Sequence, residues 1–97
     1  MDNLKIGLPP SPTARWFMTK TLHSARHRRL VELLIEQRKA AGLTQADVAK
    51  ALKRHQPHIA NIESGERRVD VVEFLELAQV IGFEPGDVLN AVSEIHD

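Results

Sequence analysis

Two side-chain amides, Gln56 and Asn61, lie five residues apart in this sequence. An amide carries a hydrogen-bond donor beside an acceptor, and this pair can bond N6 and N7 of an adenine in the major groove of DNA. Each such contact is worth roughly 1–3 kcal/mol of discrimination between bases. Pro57 and His58 directly follow the first amide and can touch a thymine methyl group or a sugar edge. These residue types suit base reading, and the competing interpretation is an ordinary polar surface.

A second group of polar and basic residues suits contacts to phosphate. Such contacts position a protein on DNA without reading its sequence. Gln45 lies where a helix is predicted to start, and the backbone N–H groups at a helix start favour an anion. Ser64 can bond a phosphate through its hydroxyl or merely cap a helix. The phosphate-contact candidates are Thr44, Gln45, Lys50, Lys53, Arg54, Ser64, Arg67 and Arg68.

The histidines raise the question of a metal site. His23 and His27 are four residues apart, and His55 and His58 are three apart, so either pair could place two ligands on one helix face. Neither pair has an obvious third ligand nearby, and the chain has no cysteine. No combination of serine, histidine and acid suggests a nucleophile, and no carboxylate pair suggests acid–base catalysis. We therefore predict no metal, no cofactor and no enzymatic activity.

Two short helices joined by a tight turn, over about residues 44–64, would position these side chains. Thr44 suits a helix N-cap, and an aspartate three residues on completes a capping box. Pro57 suits the first turn of the second helix. Ile59 and Ile62 form the inward face of that helix, which leaves the four base-reading candidates pointing outward. This layout is typical of a helix-turn-helix, whose second helix presents its N-terminal residues to the major groove.

A larger set of residues around these two helices matches a known pattern. The matching residues are Arg38, Gly42-Leu43-Thr44-Gln45, Ala49, Gln56, Ile59, Ile62-Glu63 and Gly65-Glu66-Arg67. With them the chain resembles the phage-repressor and Cro-like helix-turn-helix family, also called the XRE type, over about residues 30–92. The resemblance implies an all-α fold of five helices, a phage-repressor-like DNA-binding domain with a helix-turn-helix.

The resemblance also implies roles for particular residues. In the family, the glutamine matching Gln45 contacts a phosphate and braces the glutamine matching Gln56. The residues matching Arg38 and Glu63 form a structural salt bridge between the first helix and the end of the third. The turn usually holds glycine where this chain has Lys53, and a left-handed turn costs a non-glycine residue roughly 1 kcal/mol.

The formal net charge of the chain is zero, but the charges are unevenly distributed. Residues 1–62 carry eleven Lys or Arg against four Asp or Glu, a net +7, whereas residues 63–97 carry two against nine, a net −7. A basic half that contains the reading candidates is the footprint expected of a phosphate-binding face. The absence of cysteine and of a membrane-length apolar run fits a cytoplasmic location.

Three further helices complete the predicted domain, which covers 23–97. They lie at 23–41, at 70–81 and from Glu84-Pro85 onward. The last of them has an apolar stripe that a domain of this size is not expected to cover completely. We expect part of the stripe to form a dimer surface, with core packing as the competing interpretation. The dimer-surface candidates are Val88, Val92 and Ile95.

Residues 1–22 show no helical period and contain Pro9, Pro10 and Pro12, so we predict a flexible arm. The cluster Trp16-Phe17-Met18 either caps the core or docks a partner protein or the minor groove. Met18 is also a possible true start, which would make the preceding stretch incidental.

Together these features predict a sequence-specific transcriptional regulator, a repressor that binds a two-fold operator as a homodimer. Its half-sites would lie about one helical turn apart, near 34 Å. Two alternatives share the fold. One is an antitoxin that binds a toxin and regulates its own operon, and the other is a protein-interaction adaptor without specific DNA binding. The operator sequence and any effector are not encoded in these patterns.

Overall fold

The computed structural model describes residues 24–96, and within this range the chain forms five α-helices and no strand. The helices are α1 Ala25–Ala40, α2 Gln45–Leu52, α3 Gln56–Glu63, α4 Val71–Ile81 and α5 Pro85–Ser93. The predicted all-α architecture of five helices is confirmed. The predicted arm at 1–22, together with the alternative start at Met18, lies outside the described residues.

Four of these five helices begin with a side-chain cap, which satisfies backbone N–H groups that have no partner inside the helix. The capping residues are Ser24, Thr44, Asp70 and Glu84. At Thr44 the box is reciprocal: its hydroxyl accepts from the Asp47 N–H at 3.0 Å, and Asp47 accepts from the Thr44 N–H at 2.9 Å. The hydrogen bond from the Thr44 backbone is the main cause that lowers the pKa of Asp47 below its ordinary value. Helix α3 is the exception, because His55 makes no side-chain cap.

The core lies where the five described helices meet. Ala49 of α2 and Ile59 and Ile62 of α3 are each 2% exposed, so the two helices of the helix-turn-helix cross in close contact. Phe74 and Phe83 close the other side of the core, with ring centroids 5.7 Å apart at a tilted angle. The other buried core residues are Leu33, Leu34, Val48, Leu77, Ala78 and Val88.

Helix α5 packs differently from the prediction of a dimer surface. Val88 is 4% exposed and belongs to the core, so its assignment to a dimer surface is wrong. Val92 lies one turn later on the same face, and it is half-buried and packs against the core. Ile95 is also half-buried, and its carbonyl accepts from Arg26 Nε of α1 at 2.8 Å. Leu89 is the apolar residue of α5 that stays exposed.

Candidate nucleic-acid interface

The turn between α2 and α3 is built around Lys53. Its backbone has φ 59° and ψ 44°, which is the left-handed conformation, and it is the one non-glycine residue with positive φ between 24 and 96. The turn is closed by backbone hydrogen bonds from Lys53 N–H to Lys50 O at 3.1 Å and from Arg54 N–H to Ala49 O at 2.8 Å. The structure thus makes the tight turn with lysine in the place of glycine, at a backbone cost of roughly 1 kcal/mol.

Helix α3 presents one polar side to solvent. Its inward residues, Ile59 and Ile62, are buried, and this fixes the rotation of the helix about its axis. Gln56, Pro57 and Asn61 are exposed as a consequence. Gln56 and Pro57 form the first turn of the helix, so one end of α3 carries an amide in a position that a groove-binding helix would use.

His58 does not share this exposed position, and the prediction that it points outward is wrong. Its side chain is 16% exposed, and its ring Nε2 is hydrogen bonded to Glu73 Oε2 of α4. Because a carboxylate accepts, the proton of this bond lies on Nε2. The period of the helix explains the difference, since His58 lies four residues before Ile62 and therefore on the inward side.

A chain of side-chain hydrogen bonds connects the core to the first residue of α3. Arg38 Nε and Nη2 donate to the two carboxylate oxygens of Glu63 at 2.6 and 2.9 Å, and Nη1 donates to Leu43 O at 2.8 Å. Gln45 Nε2 donates to Glu63 Oε1 at 2.9 Å, and Gln56 Nε2 donates to Gln45 Oε1 at 3.4 Å. Each residue in this chain of bonds therefore restrains the orientation of the next.

The ion pair at the base of this chain is buried. The side chains of Arg38 and Glu63 are 11% and 10% exposed. The hydrogen bond to Glu63 is the largest cause that raises the pKa of Arg38 above its ordinary value. A charge buried to this degree is stable only with its partner, so the pair ties α1 to the C-terminal end of α3.

The phosphate-contact candidates lie on α2, on the turn and just after α3. All are exposed except Gln45, which is half-buried by its bonds to Glu63 and Gln56. Two of the hydroxyls already have partners: Thr44 accepts from the Asp47 N–H, and Ser64 donates to Asn61 O at 3.1 Å. The Thr44 proton is therefore still available to a phosphate, whereas the Ser64 proton serves to end the helix. The exposed basic candidates are Lys50, Lys53, Arg54, Arg67 and Arg68.

Sequence reasoning missed Glu73 as a partner of α3. Glu73 lies in the first turn of α4, and its carboxylate is hydrogen bonded to His58 of α3. Its backbone N–H does donate to Asp70 Oδ1, at 2.7 Å. A pairing between residues 58 and 73 depends on how two helices pack, and no local pattern of the sequence indicates it.

Two broader findings concern residues 24–96. Within that range no group of three or more histidines and carboxylates is arranged to hold a metal ion. None of the described helices is both long enough and apolar enough to span a membrane.

Comparison with known proteins agrees with this geometry. A family model described as a helix-turn-helix domain matches residues 29–92. An XRE-family like protein from Pseudomonas syringae pv. tomato str. DC3000 is 42% identical, with a TM-score of 0.70 over 79% of this chain and 94% of that one. The restriction-modification controller protein C.AhdI from Aeromonas hydrophila is 29% identical, with a TM-score of 0.61 over 67% of this chain and 98% of that one.

A third structure shares the fold at lower identity. The clp gene regulator ClgR from C. glutamicum is 20% identical, with a TM-score of 0.65 over 72% of this chain and 91% of that one. The comparison with curated proteins found no match.

The fold and the exposed end of α3 define a helix-turn-helix protein of the kind that binds DNA and regulates transcription. The chain belongs to the XRE-type helix-turn-helix family, as its match over 29–92 and its 42% identity to an XRE-family like protein show.

Proposed function

We propose that this chain is a sequence-specific repressor that binds a two-fold operator as a homodimer. The observation that carries the proposal is the chain of hydrogen bonds from the buried Arg38–Glu63 pair through Gln45 to Gln56. A side chain held in this way loses less conformational entropy when it binds a base edge, which favours recognition of a defined sequence.

The hydrogen bonds also suggest how Gln56 would read a base. One N–H of its amide is directed to Gln45 Oε1, which leaves the second N–H and the carbonyl oxygen available. That remaining donor and acceptor match N7 and N6 of adenine. Asn61, exposed five residues later on α3, would contact a second base or a phosphate. The basic residues that flank α3 would bind the backbone of the duplex.

The homodimer requires a self-complementary surface. Four large apolar side chains between 24 and 96 are exposed, from 48% to 73%: Leu75, Leu89, Val72 and Val71. Three of them lie on α4, and Leu89 lies on α5, the helix predicted to form the dimer. Exposed apolar residues of this kind are common at subunit interfaces, and a two-fold dimer would present two α3 helices to one face of a duplex.

The direct test is selection of bound duplexes from a random DNA pool, followed by anisotropy titration of the selected duplex at two salt concentrations. The variant is Gln56→Ala, and Gln79→Ala, an exposed glutamine on α4, is the matched control. We expect a palindromic selected sequence, a loss of about 1–3 kcal/mol of base discrimination in Gln56→Ala, and no change in the control.

The opposite result is equally informative. If the pool yields no enriched sequence and binding depends only on salt, electrostatic attraction to phosphate accounts for all of the binding, and the repressor assignment is wrong. Co-purification with the product of a neighbouring gene would then favour the antitoxin, and weak binding to any duplex would favour the adaptor.

A further inference from the structure

The two ends of α3 are attached to the rest of the molecule in different ways. Its C-terminal end is attached by Glu63, which pairs with Arg38 of α1. Its N-terminal end, which carries Gln56 and Pro57, has no side-chain cap. That end is connected to α2 by the hydrogen bond from Gln56 to Gln45, and to α4 by the hydrogen bond between His58 and Glu73.

Glu73 is itself firmly placed. The residue is 8% exposed, and its backbone N–H is held by Asp70 Oδ1 at the start of α4. The next residue, Phe74, is buried in the core, as are Leu77 and Ala78 one turn later. The carboxylate is therefore attached to a part of α4 that cannot shift without disturbing the core.

A buried carboxylate is poor at stabilising a fold. Removing a charge from water is costly, and an apolar residue of similar size is often as good or better for stability at such a site. What a buried pair of this kind can supply is one defined arrangement of two elements, because its hydrogen bond is made in only one geometry. His58 is the third residue of α3, and its backbone N–H closes the first turn onto His55 O at 2.9 Å.

We propose that Glu73 is a positioning residue for DNA recognition. Through His58 it sets the orientation of the first turn of α3, and so the direction in which Gln56 and Pro57 meet the base edges. This inference rests on the proposed function, but it assigns to α4 a part in sequence preference without any contact to DNA.

The test compares Glu73→Leu with Glu73→Gln. Leucine fills the buried site with an apolar side chain of similar size but cannot accept the hydrogen bond from His58. Glutamine keeps a side-chain oxygen that can accept it. Glu76→Leu, the same change at an exposed position of α4, is the matched control. Each protein is titrated with the duplex that the wild-type chain selects from a random pool and with a scrambled duplex of equal length.

We expect Glu73→Leu to bind the selected duplex about tenfold or more weakly, a loss within the range of one base contact, with little change for the scrambled duplex. Glu73→Gln should recover most of the preference, and Glu76→Leu should match wild type. In the free protein, the His58 amide should exchange about tenfold faster in Glu73→Leu, while the Leu34 amide in α1 should be unchanged.

If Glu73→Leu behaves as wild type in both binding and exchange, the inference is overturned. If Glu73→Leu does not fold, His58→Ala removes the other partner at a less buried site and carries the same measurements. If the wild-type chain selects no duplex, the proposed function is wrong, but the effect of Glu73 on α3 is still tested. The exchange of the His58 amide then decides whether Glu73 orients the first turn of α3.

Discussion

At the scale of the residue, Lys53 has a left-handed backbone conformation although it is not a glycine. Its φ of 59° is a conformation that glycine adopts freely and that costs a residue with a side chain roughly 1 kcal/mol. The Lys53 side chain is exposed. Strain of this kind is retained where a turn or a function requires it, and a basic side chain next to the helix proposed to enter the groove suits a phosphate contact.

We therefore predict that Lys53→Gly is more stable than wild type by about 0.5–1 kcal/mol, measured from urea unfolding midpoints. Lys53→Ala, which removes the charge but keeps the strained Cβ, should show no such gain. A glycine variant that unfolds at lower urea concentration than wild type would contradict the assignment of strain to this turn. The same glycine variant should bind any duplex more weakly if Lys53 contacts phosphate.

At the scale of the element, α3 is positioned by α1 and α4 as much as by its own sequence. A helix of eight residues is too short to be stable alone, so tertiary contacts must hold it in place. The buried isoleucines set its rotation, the Arg38–Glu63 pair holds one end, and His58–Glu73 holds the other. Together with Gln45 of α2, which bonds Gln56, these contacts make the direction of the exposed α3 side chains a property of four helices.

We predict that Glu63→Ala lowers the free energy of unfolding by about 3–5 kcal/mol, because it leaves the buried Arg38 charge without its partner. Glu66→Ala, an exposed acid three residues on, is the control and should change stability by less than about 0.5 kcal/mol. Thermal melts of both variants measure the difference. A Glu63→Ala melting temperature equal to that of wild type would mean that the pair is not structurally important.

At the scale of the whole molecule, charge and exposed apolar surface are segregated along the chain. The residues up to 62 carry the net positive charge, and the residues from 63 onward carry the net negative charge. Helices α4 and α5, in the acidic half, carry the four large exposed apolar side chains of the described region. This arrangement suits a molecule that meets DNA with one half and a second copy with the other.

The proposed homodimer predicts a particle of twice the 10.9 kDa chain mass in sedimentation equilibrium. Leu89→Glu would place a charge on the exposed apolar residue of α5 and should shift the particle toward the monomer. Asn90→Glu adds the same charge at the neighbouring exposed position and should leave the mass unchanged. A monomeric wild type at micromolar concentration would rule out a stable dimer.

Much of the fold was predictable because its signals are local. Caps such as Thr44 with Asp47 and the apolar period of each helix depend on residues within one or two turns of each other. The helix-turn-helix boundaries and the exposure of Gln56 and Asn61 followed from such patterns. The helical period also places His58 on the inward side, four residues before Ile62, but its pairing with Glu73 and the burial of Val88 depend on how separate helices pack.

The sequence by itself determined the helices between 24 and 96, the capping box at Thr44 and the family pattern, since short-range sterics and hydrogen bonds control these features. The tertiary structure decided which helices are held to which. It turned His58 toward Glu73, placed Val88 in the core, and joined Arg38, Glu63, Gln45 and Gln56 into one chain of hydrogen bonds. The physical reason is that these hydrogen bonds join residues 11 to 25 apart in sequence, and only packing brings such distant side chains together or decides which face of α5 is buried.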